Sequence, residues 1–340
     1  MPQLGRSNGS GFGVRNRRST KKAPAMLPRR KSAPESNDDA GVMDQIRFPN
    51  LFIIGAMKAG TSSLHEYLHQ HPEIFMSRFK EPQYFAPHKT REGLQWGQGN
   101  PSPESGIDWY LRLFDDAGDV KYAGESSVSY TARPSHTDCE MRIHGFNPDA
   151  RLIYIMRDPI ERAISHYWHF VAAGREDRDM LSAFRKEPEY IARSNYAMQL
   201  RPYLDRFGRD QVFTLTLEEL NADSKAAFRS LFTWLGVDPD VQIDTNEQFN
   251  VSSTHLLQTR RHLVFLDTMM RHWRWKRLER NLPRFVTNRM RSVIYRGVAK
   301  SALDSTDAVE YLRPILKQRT ESLKSLIRRE FPQWTTLYTS

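Results

Sequence analysis

Leu51-Phe52-Ile53-Ile54-Gly55-Ala56-Met57-Lys58-Ala59-Gly60-Thr61-Ser62-Ser63-Leu64-His65-Glu66-Tyr67-Leu68 runs from an apolar, β-prone segment through a short turn into an amphipathic segment. The reading is a buried strand over 51–55, a tight turn, and a helix over 61–71 that Pro72 follows. The N–H groups that open a helix, a run of hydroxyls and a lysine together form a cradle for an anion, here a phosphate or phosphosulfate group. Gly55 and Gly60 have the spacing of the nucleotide loop G-x-x-x-x-G-K-[ST]. Thr61, however, stands where that loop has its lysine, and Lys58 lies inside the turn. Two plainer readings stand beside this one: a solvated lysine in an ordinary strand–helix turn, and an ATP loop with a displaced lysine.

Downstream, Tyr122 to Glu125 is a short strand candidate and Arg151 to Met156 a stronger one. Asp158-Pro159-Ile160-Glu161 then opens a helix, with Asp158 as N-cap, Pro159 at the first helical position and Glu161 completing a capping box. Ile160, Ala163, Ile164, Tyr167 and Val171 recur at helical spacing and face the core. A helix over 195–207, a strand from Gln211 to Leu217 and a helix over 218–235 ended by Gly236 follow. Residues 77–105 read as an extended loop, Ile107 to Phe114 as a short helix, and the C-terminal part as helical with Pro314 near the start of its last long helix. Alternating strands and helices predict an α/β fold, a central parallel sheet flanked by helices.

In such a sheet, ligands gather at the carboxyl ends of strands. Arg157 follows one strand end, and Ser165 lies two turns into the next helix. A guanidinium can fork onto a phosphate and a hydroxyl can add to it. A salt bridge between Arg157 and Asp158 is the plainer reading. Two anion sites at one sheet edge imply a ligand with phosphates at two ends.

These residues carry a resemblance. The segment Phe48 to Leu64 resembles the 5′-phosphosulfate loop of sulfotransferases that use PAPS (3′-phosphoadenosine-5′-phosphosulfate). Lys80-Glu81-Pro82-Gln83-Tyr84-Phe85 resembles the Lys-Glu-Pro-x-x-Phe segment of the heparan-sulfate-type branch, and Arg151 to His166 resembles the family's 3′-phosphate motif. Gly124-Glu125-Ser126-Ser127 and Ser194-Asn195-Tyr196 fall in the family's order, and 48–235 is covered best. The resemblance implies a P-loop-like three-layer fold, in a soluble, bacterial-like member. It implies that Lys58 stabilises charge on the leaving group. The loop Ala59, Gly60, Thr61, Ser62 and Ser63 would hold the 5′-phosphate, and Arg157 and Ser165, with Tyr196 nearby, the 3′-phosphate. Glu81 would be the general base for an acceptor hydroxyl or, secondarily, an amine. Arg260 and Arg261 become candidate contacts to PAPS, because a loop in this region closes over the nucleotide in relatives. The chemistry asks for such groups: an attacking alcohol becomes acidic as its bond to sulfur forms, and negative charge grows on the bridging oxygen. No metal is called for, and the eleven histidines show no zinc-ligand spacing. One departure weakens the expectation of a densely anionic polysaccharide acceptor: Ser126 stands where glycosaminoglycan-modifying relatives commonly have lysine.

The net charge of +10 is unevenly distributed, since residues 1–34 hold nine Lys/Arg and no Asp/Glu, leaving 41 positive and 40 negative groups in the remainder. Residues 1–46 therefore read as a disordered basic tail, and 47–338 as one folded domain. Residues 271–300 hold ten Lys/Arg against Glu279 alone, with Trp273 and Trp275 interleaved, a pattern suited to a membrane surface, an anionic acceptor or packing on the domain. No apolar run is long enough to span a bilayer, no apolar leader is visible, and Cys139 is the single cysteine. The expectation is a cytoplasmic, PAPS-dependent sulfotransferase with a carbohydrate or other small or lipid-linked acceptor. Nucleic acid is not the expected partner. A P-loop kinase and a non-catalytic protein that binds an anion or RNA are the rival readings, separable by ATP turnover and by nucleic-acid binding without transfer.

Overall fold

The computed structural model describes residues 48–86, 106–246 and 305–339, and the backbone of 255–259 and 295–299. β1 (Leu51–Gly55) is the middle of a five-stranded sheet. It lies between β3 (Tyr122–Ser126) and β4 (Arg151–Met156), with β2 (Ile74–Met76) outside β3 and β5 (Val212–Thr216) outside β4. Every pairing in this sheet is parallel, with Leu51 opposite both Gly124 and Arg151. The carboxyl ends of all five strands therefore lie along one edge. A separate antiparallel pair joins β6 (His255–Thr259) to β7 (Tyr295–Ala299).

Among the described residues the α-helices are α1 (Thr61–His69), α2 (Gly106–Leu111), α3 (Cys139–Phe146), α4 (Pro159–Ala172), α5 (Met180–Lys186), α6 (Glu189–Ala192), α7 (Tyr196–Phe207), α8 (Leu217–Ala222), α9 (Ser224–Leu235), α10 (Thr306–Ile327) and α11 (Thr335–Tyr338). Alternation along each strand sends its side chains to two layers. Leu51, Ile53, Ile153, Ile155 and Leu215 pack with Leu64 and Leu68 of α1 and with Phe228, Leu231 and Phe232 of α9. Phe52, Ile54, Leu152, Tyr154 and Met156 pack on the other face with residues of α3, α4, α7 and α10. The chain thus leaves β1 toward one face through α1, and leaves the adjacent β4 toward the other through α4. That divergence opens a crevice at the strand ends, the place where open α/β sheets bind ligands.

β1 and β4 occupy the residues expected of them, and Asp158 caps α4, accepting from the N–H groups of Ile160 (3.0 Å) and Glu161 (3.4 Å). Glu161 does not complete a capping box; its carboxylate turns to Arg157 and Thr336 instead. The helix read over 218–235 is two helices, because Asp223 leaves the α region and caps α9 through Ala226 N–H. Pro314 lies well inside α10, which begins at Thr306. Strands β6 and β7 replace part of the helical C-terminal region that the sequence suggested. The tail over 1–46, the loop over 87–105, Arg260 and Arg261 lie outside the described residues, as does the basic stretch 271–300 apart from the backbone of β7.

Candidate active site

The cradle starts beside β4, since Ala56 N–H donates to Ile155 O at 2.7 Å. The turn reverses through Lys58, at φ 68, and Gly60, at φ 94. Both lie in the left-handed region, which a lysine occupies only against a steric cost, as residues of functional loops often do. Gly60 is also there for space: a Cβ on it would come within 2.8 Å of Leu217 Cδ1. No side chain caps the start of α1 at Gly60. Thr61, Ser62 and Ser63 make up the first turn of α1, so three hydroxyl side chains stand beside the turn at the helix start. The turn, its lysine and the glycine that a Cβ would crowd fit a phosphate-type anion.

Glu81 is carried on a strap, residues 77–86, that follows β2. Lys80 Nζ reaches across to Ser62 Oγ of the cradle at 2.5 Å and stands 3.8 Å from Glu81 Oε1. Ser62, Lys80 and Glu81 therefore form a continuous polar line from the cradle turn to the carboxylate. Both ionisable side chains are 24% exposed. Desolvation raises the Glu81 carboxyl above the ordinary glutamate range, while Lys80 and the Val128 N–H pull it back. Desolvation likewise lowers the Lys80 ammonium, against the attraction of Glu81. A raised carboxyl is a better proton acceptor at neutral pH. Lys80 stands in the sequence only as part of a motif; its place against Ser62 depends on β2 lying two strands away from β1, which spacing does not reveal.

On the other side of the crevice, Arg157 leaves the end of β4. Its guanidinium pairs with Glu161 at 3.1 Å rather than with Asp158. Ser165 is part-exposed one turn beyond Glu161, so Glu161 and Ser165 share one face of α4, and Arg157 joins that face through its pairing with Glu161. Tyr196 is buried and donates its hydroxyl to Arg157 O at 2.7 Å, which steadies the strand end that carries the arginine. Arg162, absent from the expected set, is fully buried. Its guanidinium donates to Ser194 Oγ (2.7 Å), Tyr190 O (2.6 Å) and, at 3.5 Å, Met57 O of the cradle turn. Burial lowers its pKa to about 10. The helical spacing gives no signal for it: Arg162 lies opposite the apolar stripe of Ile160, Ala163, Ile164, Tyr167 and Val171, and is buried by the chain that packs on that other side. The cradle, the strap and the Arg157 face thus meet at one edge of the sheet. The contribution of Arg260 and Arg261 falls outside the described residues.

The family model described as "Sulfotransferase family" matches residues 49–241, more than half of the chain. Among curated proteins, carbohydrate sulfotransferase 15 of Mus musculus is 25% identical over 250 residues, covering 56% of this chain and 44% of the relative. Heparan sulfate glucosamine 3-O-sulfotransferase 6 of Mus musculus is 32% identical over 121 residues, covering 36% of this chain and 30% of the relative. The chain therefore spans less than half the length of these curated relatives. Among solved structures, a sulfotransferase from Alicyclobacillus acidocaldarius aligns with a TM-score of 0.58 and 27% identity, covering 85% of this chain and 99% of that one.

Proposed function

The chain belongs to the sulfotransferase family, and we propose that it transfers the sulfuryl group of PAPS to a hydroxyl of a carbohydrate acceptor, with Glu81 as general base. The observation that carries this reading is the line Ser62–Lys80–Glu81, which joins an anion cradle to a desolvated carboxylate. The names of the curated relatives support a sugar acceptor.

The cradle residues Lys58, Ala59, Gly60, Thr61, Ser62 and Ser63 hold the 5′ end of the nucleotide, and Arg157 and Ser165 the 3′-phosphate. Bound PAPS supplies a sulfuryl group on a phosphate leaving group. Glu81 takes the proton of the acceptor hydroxyl as the oxygen becomes acidic. Lys58 and Lys80 place positive charge where the leaving oxygen gains negative charge, the type of contact whose loss costs about 10²–10³ in turnover.

The reading is tested by incubating the protein with sulfur-35-labelled PAPS or γ-phosphorus-32-labelled ATP and a panel of saccharides. Label is expected on a saccharide from PAPS alone, with one 3′,5′-bisphosphate (PAP) released per sulfate. Transfer from ATP, or tight PAP binding with no transfer to any acceptor, would overturn it.

A further inference from the structure

The strap that carries Glu81 hangs on a second carboxylate. Glu125, in β3, is fully buried. Three hydroxyls donate to it: Tyr130 at 2.5 Å and Tyr110 at 3.2 Å on Oε1, and Ser127 at 2.7 Å on Oε2. Two of these hydroxyls also hold the strap. Ser127 Oγ accepts from Gln83 N–H at 2.9 Å, and the Tyr130 hydroxyl accepts from Phe85 N–H at 3.4 Å. The same β3 end takes Glu81 N–H on Ser126 O at 2.9 Å, and Val128 N–H donates to Glu81 Oε2 at 3.0 Å.

A hydroxyl has one proton and two lone pairs. An ionised Glu125 has no proton to give, so Ser127 and Tyr130 must both point their protons at it. Each then turns a lone pair toward the strap, where Gln83 and Phe85 supply N–H groups. The strap needs such restraint, because Glu81 and Gln83 sit at φ 60 and 55. Left-handed backbone of this kind costs roughly 1–2 kcal/mol per residue and persists only where the surroundings enforce it.

We propose that Glu125 is a positioning residue for Glu81: its carboxylate orients Ser127 and Tyr130 so that both present acceptors to the strap, fixing the base relative to the cradle. The proposal rests on the reading of Glu81 as base. Replacing Glu125 by glutamine puts an N–H₂ group among the same hydroxyls and turns at least one of them around. The Glu125→Asp change keeps the polarity and shortens the reach.

Hydrogen exchange followed by mass spectrometry on the full chain tests this at pH 8, above the value of about 7 to which burial raises the Glu125 carboxyl. In Glu125→Gln and in Ser127→Ala, the amides of the strap peptide 78–86 should exchange about tenfold faster, the loss of one hydrogen bond, while those of α1 keep their protection. PAP affinity by calorimetry should stay within about twofold, and kcat for sulfate transfer should fall about tenfold or more, partly restored in Glu125→Asp. Unchanged strap protection in a folded variant would overturn the proposal, as would loss of PAP affinity in step with kcat. If Glu125→Gln fails to fold, Ser127→Ala and Tyr130→Phe remove the two links one at a time and decide the same point. If the wild type transfers no sulfate at all, the functional reading fails, and the exchange rates still show whether Glu125 orders the strap.

Discussion

Glu81 and Lys80 are displaced in opposite directions by the same cause, the loss of water around both charges. A base must be ionised to accept a proton. The acid limb of turnover should therefore titrate above the ordinary glutamate value of 4.5, and Glu81→Gln should lower kcat by roughly 10²–10⁴ while PAP affinity barely moves. A pH–rate profile beside calorimetry checks both parts. Lys58→Ala should reduce turnover by about 10²–10³, read in the same assay. Glu125 makes a stability prediction of its own. Its carboxyl is raised from 4.5 to about 7, so the folded state holds that proton more tightly than the unfolded state does. Its contribution is greatest below pH 4.5 and is lost as the pH rises toward 7, a change on the order of 3 kcal/mol. Denaturant titrations across this range should show the stability of Glu125→Gln rising relative to wild type as pH increases. At this scale the sequence is partly legible. Lys58 and Arg157 stand immediately after strands whose pattern is plain, so their place at the sheet edge follows. The partner of Arg157 does not follow: Asp158 is adjacent, yet its carboxylate takes helix N–H groups and the Leu337 N–H, leaving Arg157 to Glu161.

Among the elements, β1 and β4 were legible as continuous apolar, β-prone runs, and α4 as an apolar stripe at helical spacing with its own cap. β2 was not, since Ile74–Met76 is too short to display an alternation. The strap beyond it gave no sign of its backbone either: left-handed positions usually announce themselves as glycine or asparagine, and here they are Glu81 and Gln83. In the cradle turn one left-handed position, Gly60, is visible in the sequence, while the other, Lys58, is as silent as those of the strap. Gly60→Ala places a methyl 2.8 Å from Leu217 Cδ1 at φ 94, so it should destabilise the fold and weaken PAP binding together. Asp158→Ala removes the α4 cap, a change of about 1–2 kcal/mol, and also strips Leu337 N–H of its acceptor. Thermal unfolding of both variants, with and without PAP, gives the comparison.

The whole molecule is closed at the Arg157 side by its C-terminal segment. Leu337 N–H donates to Asp158 at 2.9 Å, Trp334 Nε1 to Glu218 at 3.2 Å, and Arg329 pairs with Glu219. Trp334 stacks on Phe331 at 4.0 Å and lies 5.7 Å from Tyr196, the residue that holds Arg157 O. Truncation after Arg328 should lower the melting temperature by about 5 °C or more and loosen the Arg157 side of the crevice. None of these long-range contacts is readable from spacing, nor is the strand order β2-β3-β1-β4-β5, although the parallel α/β class is. In that order the proposed nucleotide, phosphorylated at both ends, would lie across the β1/β4 crevice, with Lys58 at one anion and Arg157 at the other. Calorimetry with PAP and with adenosine 5′-phosphate, which lacks only the 3′-phosphate, on wild type and on Arg157→Ala, tests it. Wild type should prefer PAP, and the variant should lose most of that preference through a roughly ten- to hundredfold weakening confined to PAP, the worth of a charged hydrogen bond. Equal weakening of both ligands, or no preference in the wild type, would contradict the account.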